Sequence, residues 1–249
     1  MKRSQRNNTA RVPKAIDRSA SGKASKFPVL SAKTENQGYF VESLNSDVIV
    51  VGAGYAGTGK SLLACYHAAH KLYHGKIKKI VLLRAYQPLA GRTIGFTPGE
   101  AIDKLRPHYL QLIEYLEDFL GKSQVEIFIK QGTIEVCSLE TIRGRSWEDN
   151  VVIVDESQNL YVEEIQALTT RVGNNCQLII IGDDSGVQTD ITDKKNGLSY
   201  LLGIVEKYDI PQVGITYFDI EDVLRSGVTK SFVIAYDKEL QDSKRRNNR

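Results

Sequence analysis

The sequence predicts an α/β fold: a single domain with a mainly parallel β-sheet flanked by helices. Three observations predict it. Short runs of β-branched residues alternate with segments of helical character, most of these runs are apolar throughout, and one of them leads through a glycine-rich turn directly into a helix. Strands that are apolar on both faces are typical of parallel sheets covered by helices, and the alternation is typical of right-handed βαβ units. A chain of 249 residues is long enough to bury a full core.

The individual elements follow from the local pattern. Continuous runs of Val, Ile and Leu between polar turns predict strands, and the longer segments between them predict helices. The first strand begins at Val48 and its helix extends at least to His67. After that helix the predicted elements are a strand at Lys79–Arg84, a long excursion at 85–122, segments at 125–130 and 134–138, a strand at 151–155, a helix at 162–171, a strand at Gln177–Gly182, a helix at Gly197–Tyr208, a strand at Val213–Phe218 and a final helix at 228–236.

Within the excursion, a stripe of large apolar residues recurs at near-helical spacing after Pro107. Its members are Leu105, Leu112, Leu116, Phe119 and Leu120. Such a stripe predicts one face of a helix that packs in the core or against another subunit.

The turn after the first strand fits the pattern of a phosphate-binding P-loop. Its residues are Gly54, Tyr55, Ala56, Gly57, Thr58, Gly59, Lys60 and Ser61. Because backbone N–H groups must wrap the phosphates closely, the three glycines are expected to provide positive φ without a Cβ clash. Lys60 is a mobile charge for the β and γ phosphates, and the Ser61 hydroxyl is a hard oxygen ligand suited to Mg²⁺. The motif therefore predicts an ATP site with Mg²⁺.

Two adjacent acids, Asp155 and Glu156, end the strand predicted at 151–155. Open α/β sheets bind ligands at the carboxyl ends of their strands. There, Asp155 is suited to the Mg²⁺ shell and Glu156 to deprotonating an attacking water. An interpretation in which these residues merely cap the next helix explains one acid but not two.

Basic residues are concentrated at the two ends of the chain. Residues 1–33 hold nine Lys or Arg residues and one acid, Asp17, and residues 241–249 repeat the pattern, whereas the whole chain carries a net charge of only +3. We therefore expect a flexible basic arm at 1–33, a domain at 34–240 with net negative charge, and a basic tail at 241–249. The arm could bind a polyanion, although solvated terminal charge is equally consistent with it.

Three scattered cysteines without a C-x-x-C pair indicate neither a zinc ribbon nor a disulfide scaffold. The basic N-terminus lacks the apolar region of a secretory signal, and no apolar run approaches the ~20 residues that span a bilayer. We expect a soluble cytoplasmic protein. His70 and His74 have metal-capable spacing on one helix, but no further ligand completes a set.

These motifs together resemble the PhoH-like family of P-loop ATPases, in the short form common in phages, with an acidic box similar to that of superfamily 1 helicases. The matching segments are 34–37, 54–61, Arg84, 95–99, 143–145, 155–159, 168–173, 182–183, 196–198 and 222–227. The resemblance implies a single RecA-like P-loop domain with ATPase activity, association with RNA or single-stranded DNA, possible helicase activity, and a homo-oligomer such as a hexameric ring. A phage protein would act in the host cytoplasm.

The resemblance also implies roles for individual residues. Gln37 would read the adenine edge, because an amide can both donate and accept, with a surface helix glutamine as the alternative. Gln158 and Asp183 would link the γ-phosphate to nearby loops. The sequence departs from the family pattern by two extra residues before Gln188, which is therefore not assigned.

Arginines are expected to complete the mechanism. A guanidinium placed against the γ-phosphate stabilises the charge that spreads over its oxygens. The chain has no second helicase domain to provide one, so we expect Arg225 or Arg171 of a neighbouring subunit to serve. Arg84, Arg143 and Arg145 are candidates for gripping nucleic-acid phosphates, with Trp147 and Tyr86 for base stacking, although a buried Trp147 is the commoner case.

Two other functions remain possible from the sequence. The protein could be a nucleotide-dependent switch whose ATP state controls assembly without a nucleic-acid substrate. It could also be a small-molecule kinase, but the paired acids favour water as the acceptor.

Overall fold

The computed structural model describes residues 27–85, 101–142, 145–185, 196–225 and 227–247. They form one six-stranded sheet in the order β3-β2-β4-β5-β1-β6, with every neighbouring pair parallel. The strands are β1 (Ile49–Gly54), β2 (Lys79–Arg84), β3 (Ile134–Cys137), β4 (Asn150–Asp155), β5 (Gln177–Gly182) and β6 (Val213–Phe218). The predicted α/β fold with a parallel sheet is confirmed.

Helices cover both faces of this sheet. They are α1 (Glu35–Ser46), α2 (Lys60–Tyr73), α3 (Ala101–Leu120), α4 (Lys122–Lys130), α5 (Val162–Thr169), α6 (Gly197–Tyr208) and α7 (Gly227–Asn247). One core contains side chains of α1 to α4 against one face of the sheet, and a second contains those of α5 and α6 against the other. The central strands are buried on both sides, which explains their continuous apolar sequences.

The strand order brings the two sequence motifs together. β1 carries the P-loop and β4 carries the acidic pair, and β5 lies between them. Because all three strands are parallel, their carboxyl ends lie at one edge of the sheet. Gly54, Asp155 and Gly182 are the last residues of these strands.

Several boundaries differ from the sequence prediction. The segment 125–130 is helical and belongs to α4, while 134–137 is a strand. Helix α3 begins at Ala101, before Pro107, and of its predicted stripe Leu112 and Leu116 are fully buried while Phe119 and Leu120 pack against the core. Helix α7 continues to Asn247, so most of the predicted basic tail is helical. Residues 241–247 of this helix include no apolar residue. The apolar pattern that predicts the helix therefore does not extend to its end.

The packed chain begins before the predicted boundary at residue 34. Phe27 lies against aromatic side chains of α2 and α3, among them Tyr66 at 5.5 Å and Tyr73 at 5.1 Å between ring centroids. Residues 27–33 are therefore part of the body and not of a flexible arm. Among the helices of the described ranges, none is both long and apolar enough to cross a membrane.

Candidate functional site

The P-loop has the backbone geometry that its glycines predict. Gly54, Gly57 and Gly59 all have positive φ, at 128°, 83° and 89°. At Gly54 the chain also approaches β6 so closely that a Cβ would lie 1.9 Å from the carbonyl oxygen of Phe218. A side chain at this position would therefore break the contact between the turn and β6.

Lys60 lies inside this turn at the start of α2. It is only 8% exposed, and its ammonium donates hydrogen bonds to the carbonyl oxygens of Gly54 and Tyr55, both at 2.6 Å. Burial lowers the pKa of Lys60 to about 8, although the carboxylates around it, beginning with Asp183, act in the opposite direction. The ammonium is thus held within the loop that is predicted to bind phosphate.

Ser61 and Asp155 face each other across the site. The Ser61 hydroxyl donates to Asp155 Oδ1 at 3.3 Å. Asp155 is 7% exposed, and burial, followed by the neighbouring charge of Glu156, raises its pKa to about 6. The hydroxyl oxygen of Ser61 and the buried carboxylate of Asp155 together fit a Mg²⁺ site. Mg²⁺ takes few protein ligands and fills the rest of its shell with water and phosphate oxygens.

Glu156 is held by two side chains. Arg84, at the end of β2, donates to Glu156 Oε1 at 2.7 Å, and Gln158 donates to Oε2 at 2.6 Å. The backbone of Glu156 is left-handed, with φ of 54°, a conformation that costs energy for a non-glycine residue and recurs at functional sites. The carboxylate is therefore fixed in position at the edge of the cavity.

Gln158 also connects this carboxylate to the next strand. It is 1% exposed, and its amide oxygen accepts from the backbone N–H of Asp183 at 3.0 Å. Asp183 follows β5 and lines the cavity. The predicted linking position of Gln158 and Asp183 is consistent with this chain of contacts, while their response to a γ-phosphate stays a prediction.

These groups surround one cavity of about 330 Å³. It is lined by residues 56–62, by Asp155, Glu156, Gly182 and Asp183, by Leu224 and Arg225, and by Lys33, Gln111 and Tyr115. Residues 56–61, Asp155, Glu156, Asp183 and Arg225 are site residues predicted from the sequence, Arg225 on behalf of a neighbouring subunit. Gln111 and Tyr115 were not, because the position of α3 relative to the P-loop depends on the long connection before it.

Arg225 lies over the P-loop of its own chain. A Cβ added at Gly57 would lie 2.8 Å from Arg225 Nε, and the backbone N–H of Leu224 donates to the Gly57 carbonyl at 3.2 Å. We expected Arg225 to act on a neighbouring subunit. The structure instead places it in its own cavity, so it needs no partner to reach the phosphate loop.

Arg171 is not at this site. It follows α5 and lies beside the amino end of β4, where its backbone carbonyl accepts from Trp147 N–H at 3.3 Å and its guanidinium donates to the Arg145 carbonyl at 3.1 Å. The cavity is at the carboxyl ends of the strands. Arg171 therefore does not reach the cavity of its own chain, and its expected action on a neighbouring subunit stays a prediction.

The predicted nucleic-acid arginines do not form one group. Arg84 is paired with Glu156, whereas Arg145 is paired with Glu135 on the edge strand β3. Arg143 and Tyr86 lie outside the described residues, as do Gln188 and the segment 95–99. Trp147 is 3% exposed and belongs to the core, so it is unavailable for base stacking. The role of Arg84, Arg143 and Arg145 in gripping nucleic-acid phosphates stays a prediction.

Gln37 is buried rather than on the surface, with 4% of its area exposed. Its amide nitrogen donates to the Thr58 carbonyl at 2.9 Å, and its amide oxygen accepts from Lys33 N–H at 2.8 Å. Both amide groups are therefore bonded to backbone. In this arrangement Gln37 supports the P-loop, and its side chain is not part of the cavity lining.

The histidines of α2 contact a glutamine side chain and aromatic rings. His67 is buried and its Nε2 lies 2.8 Å from Gln177 Oε1, and burial lowers the pKa of His67 to about 4. His70 and His74 belong to the aromatic group around Phe27. Across the described parts of the chain, no cluster of three His, Cys, Asp or Glu residues could hold a metal ion.

A phosphate-binding turn that faces acids at the ends of neighbouring parallel strands defines a P-loop nucleoside triphosphatase core. Within that class, the chain belongs to the PhoH-like protein family, whose family model matches residues 29–237. The resemblance seen in the sequence is thereby confirmed.

Two curated relatives illustrate the relationship. A PhoH-like protein of Bacillus subtilis (strain 168) is 35% identical over 227 residues, which cover 90% of this chain and 67% of the relative. Protein PhoH of Escherichia coli (strain K12) is 30% identical over 212 residues, which cover 84% of this chain and 58% of the relative. The chain thus spans between about half and two thirds of these relatives.

Among solved structures, the large terminase of bacteriophage HK97 is similar in fold. Its TM-score is 0.50 at 13% sequence identity, with 76% of this chain and 40% of that chain covered. At this level of identity the likeness concerns the fold alone.

Proposed function

We propose that this protein hydrolyses ATP with Mg²⁺, and that hydrolysis is coupled to RNA or single-stranded DNA. The observation that carries the hydrolase proposal is the meeting of Ser61 of the P-loop and Asp155 of β4, at 3.3 Å, beside Lys60 and Glu156 in one cavity. A site that bound a phosphate chain without cleaving it would need the turn but not the acid pair.

The residues have distinct parts in this reaction. The backbone N–H groups of the P-loop and the Lys60 ammonium bind the β and γ phosphates, and Ser61 and Asp155 would hold Mg²⁺, which neutralises phosphate charge when bound. Glu156 orients and deprotonates the attacking water, a contribution worth ~10²- to 10⁴-fold. Arg225, which lies over the P-loop, stabilises charge on the γ-phosphate.

A Glu156→Gln variant tests the hydrolase proposal most directly, with Lys60→Ala beside it. The first variant should bind ATP as the wild type does and lose at least about 100-fold in turnover, while the second should lose affinity. Both are measured by calorimetry and phosphate release, with Mg²⁺ and with EDTA. Wild-type protein that fails to bind ATP with Mg²⁺, or a Glu156→Gln variant with full turnover, would refute the proposal.

The nucleic-acid part of the proposal rests on membership of the family and on the resemblance of the acidic box at 155–159 to that of superfamily 1 helicases. Polynucleotide should stimulate ATP turnover, and affinity for it should fall steeply with salt, because phosphate contacts release counterions. Turnover and binding of oligo(U) and oligo(dT) between 50 and 200 mM salt, values chosen to span the range over which such contacts weaken, measure both. Absence of stimulation and of binding would reject this part and leave the hydrolase proposal intact.

A second candidate, a nucleotide-dependent assembly switch, is favoured by one contact. The Tyr55 hydroxyl of the P-loop donates to Asp237 Oδ1 of α7 at 2.6 Å. The same helix exposes Val228, Phe232 and Tyr236, each more than half accessible, at four-residue spacing. If ATP acts through this contact, light scattering will show a nucleotide-dependent change in size that Tyr55→Phe abolishes.

A further inference from the structure

Part of the cavity lining lies beyond the residues assigned to the phosphate groups. Residues 56–61 are the P-loop residues that would surround the phosphates, and Asp155, Glu156, Asp183 and Arg225 are the charged residues of the same lining. The remaining side chains of the lining include Lys33, Leu62, Gln111 and Tyr115. A triphosphate carried by a nucleoside still has a ribose and a base to place.

Two of these remaining residues come from α3, which contains none of the residues assigned to the phosphates. Gln111 and Tyr115 are on α3, which packs along the P-loop helix α2, and Leu62 follows Ser61 on α2. Tyr115 is half-buried against the core on one side and lines the cavity on the other. Its ring orientation is supported by Gln111, whose Nε2 donates to the Tyr115 hydroxyl at 2.9 Å.

The chemistry of this group suits a planar base. An aromatic ring that is fixed at its far end presents a face for stacking, and Leu62 adds an apolar surface. Lys33 is held in place because its backbone N–H donates to Gln37 Oε1. Gln37 itself, the residue expected to read adenine, is absent from the cavity lining and has both amide groups bonded to backbone.

We propose that Tyr115, supported by Gln111 and Leu62, forms the nucleobase subsite, and that Gln37 supports the P-loop instead of reading the base. This inference rests on the proposed function, since it assigns the base end of the same ATP site. Tyr115 contacts the ligand in this arrangement, and Gln111 is a positioning residue.

Inorganic tripolyphosphate separates the two ends of the site, because it has the phosphates of ATP without the base. We expect Tyr115→Ala to weaken ATP binding about tenfold, as the loss of one stacking contact would, and to change tripolyphosphate binding less than about twofold. Tyr115→Phe keeps the ring but loses its bond to Gln111, so it should weaken ATP binding only about two- to threefold. Tyr208→Ala removes another tyrosine, 60% exposed and outside the cavity, and should leave both ligands unaffected.

The outcomes distinguish the two proposals. If wild-type protein binds ATP and Tyr115→Ala binds it equally well, or if that variant loses ATP and tripolyphosphate in equal measure, the base subsite is refuted while the ATP site stands. If wild-type protein binds neither ligand, the proposed function itself fails. Circular dichroism of each variant, recorded before titration, identifies any loss of folding.

Discussion

Arg84 and Glu156 form an ion pair at the carboxyl ends of the adjacent strands β2 and β4, with 2.7 Å between Nη2 and Oε1. The other carboxylate oxygen of Glu156 accepts from Gln158. Each carboxylate oxygen can accept a second hydrogen bond, so a water can still donate to Glu156 while both of these donors stay in place. Arg84 thus restrains the residue that is predicted to act as the base.

Replacing Arg84 by Ala should release this restraint. We expect kcat for ATP to rise about three- to tenfold without polynucleotide, because a carboxylate released from the guanidinium can move towards the attacking water, and KM to change little. Arg84→Lys, which keeps the charge, should remain near the wild-type rate. Steady-state phosphate release measures all three proteins. A fall in kcat for Arg84→Ala would mean that the pair holds Glu156 in its productive orientation.

Asp155→Asn should stabilise the fold at neutral pH although it removes activity. Because the pKa of Asp155 is raised from 3.8 to about 6, the folded chain binds more protons than the unfolded chain between those values, and the free energy of unfolding falls as pH rises through them. Asparagine stays neutral at every pH. We expect a gain of about 1–3 kcal/mol at pH 7.5 that disappears by about pH 4.

Urea unfolding of wild-type and variant proteins at both pH values measures this difference. Asp149→Asn is the matched control, because the pKa of that exposed carboxyl is lowered by its hydrogen bond to Lys78, so its replacement should not stabilise the protein at neutral pH. An Asp155→Asn protein that is less stable than wild type at pH 7.5 would contradict the stated cause.

Most of the fold could be predicted from the sequence, because its signals are local. The strands Gln177–Gly182 and Val213–Phe218 have the predicted bounds, since each is a continuous apolar run between polar turns. The P-loop likewise has the predicted positive φ at its three glycines. Such features depend on neighbouring residues in the chain.

Contacts between distant segments could not be predicted in the same way. Arg84 and Glu156 are 72 residues apart, and they meet because β2 lies between β3 and β4 and pairs with both of them. Tyr115 reaches the cavity through the packing of α3 on α2. Arg225 was expected to serve a neighbour because nothing in its sequence shows that the turn before α7 folds back over Gly57.

The position of Arg225 predicts how mixed oligomers behave. Because Arg225 lies against Gly57 of its own chain, a subunit with Lys60→Ala and one with Arg225→Ala cannot form a complete site between them. We expect each variant alone to lose at least about 1,000-fold in turnover, and their mixture to stay inactive. Co-purification with two different tags confirms that the subunits assemble. Recovered turnover in the mixture would show that the arginine acts between subunits.

Gly54→Ala should destabilise the fold through the contact between the P-loop and β6. The added Cβ would lie 1.9 Å from the Phe218 carbonyl oxygen, at a residue whose φ is +128°, so both the backbone conformation and the pairing of β1 with β6 must change. We expect a loss of at least about 2 kcal/mol in the free energy of unfolding. Gly38→Ala is the matched control: it lies within α1 with no atom within 4 Å of the added Cβ, and it should gain about 0.5–1 kcal/mol. Urea unfolding measures both, and equal midpoints for Gly54→Ala and wild type would show that β6 does not constrain the turn.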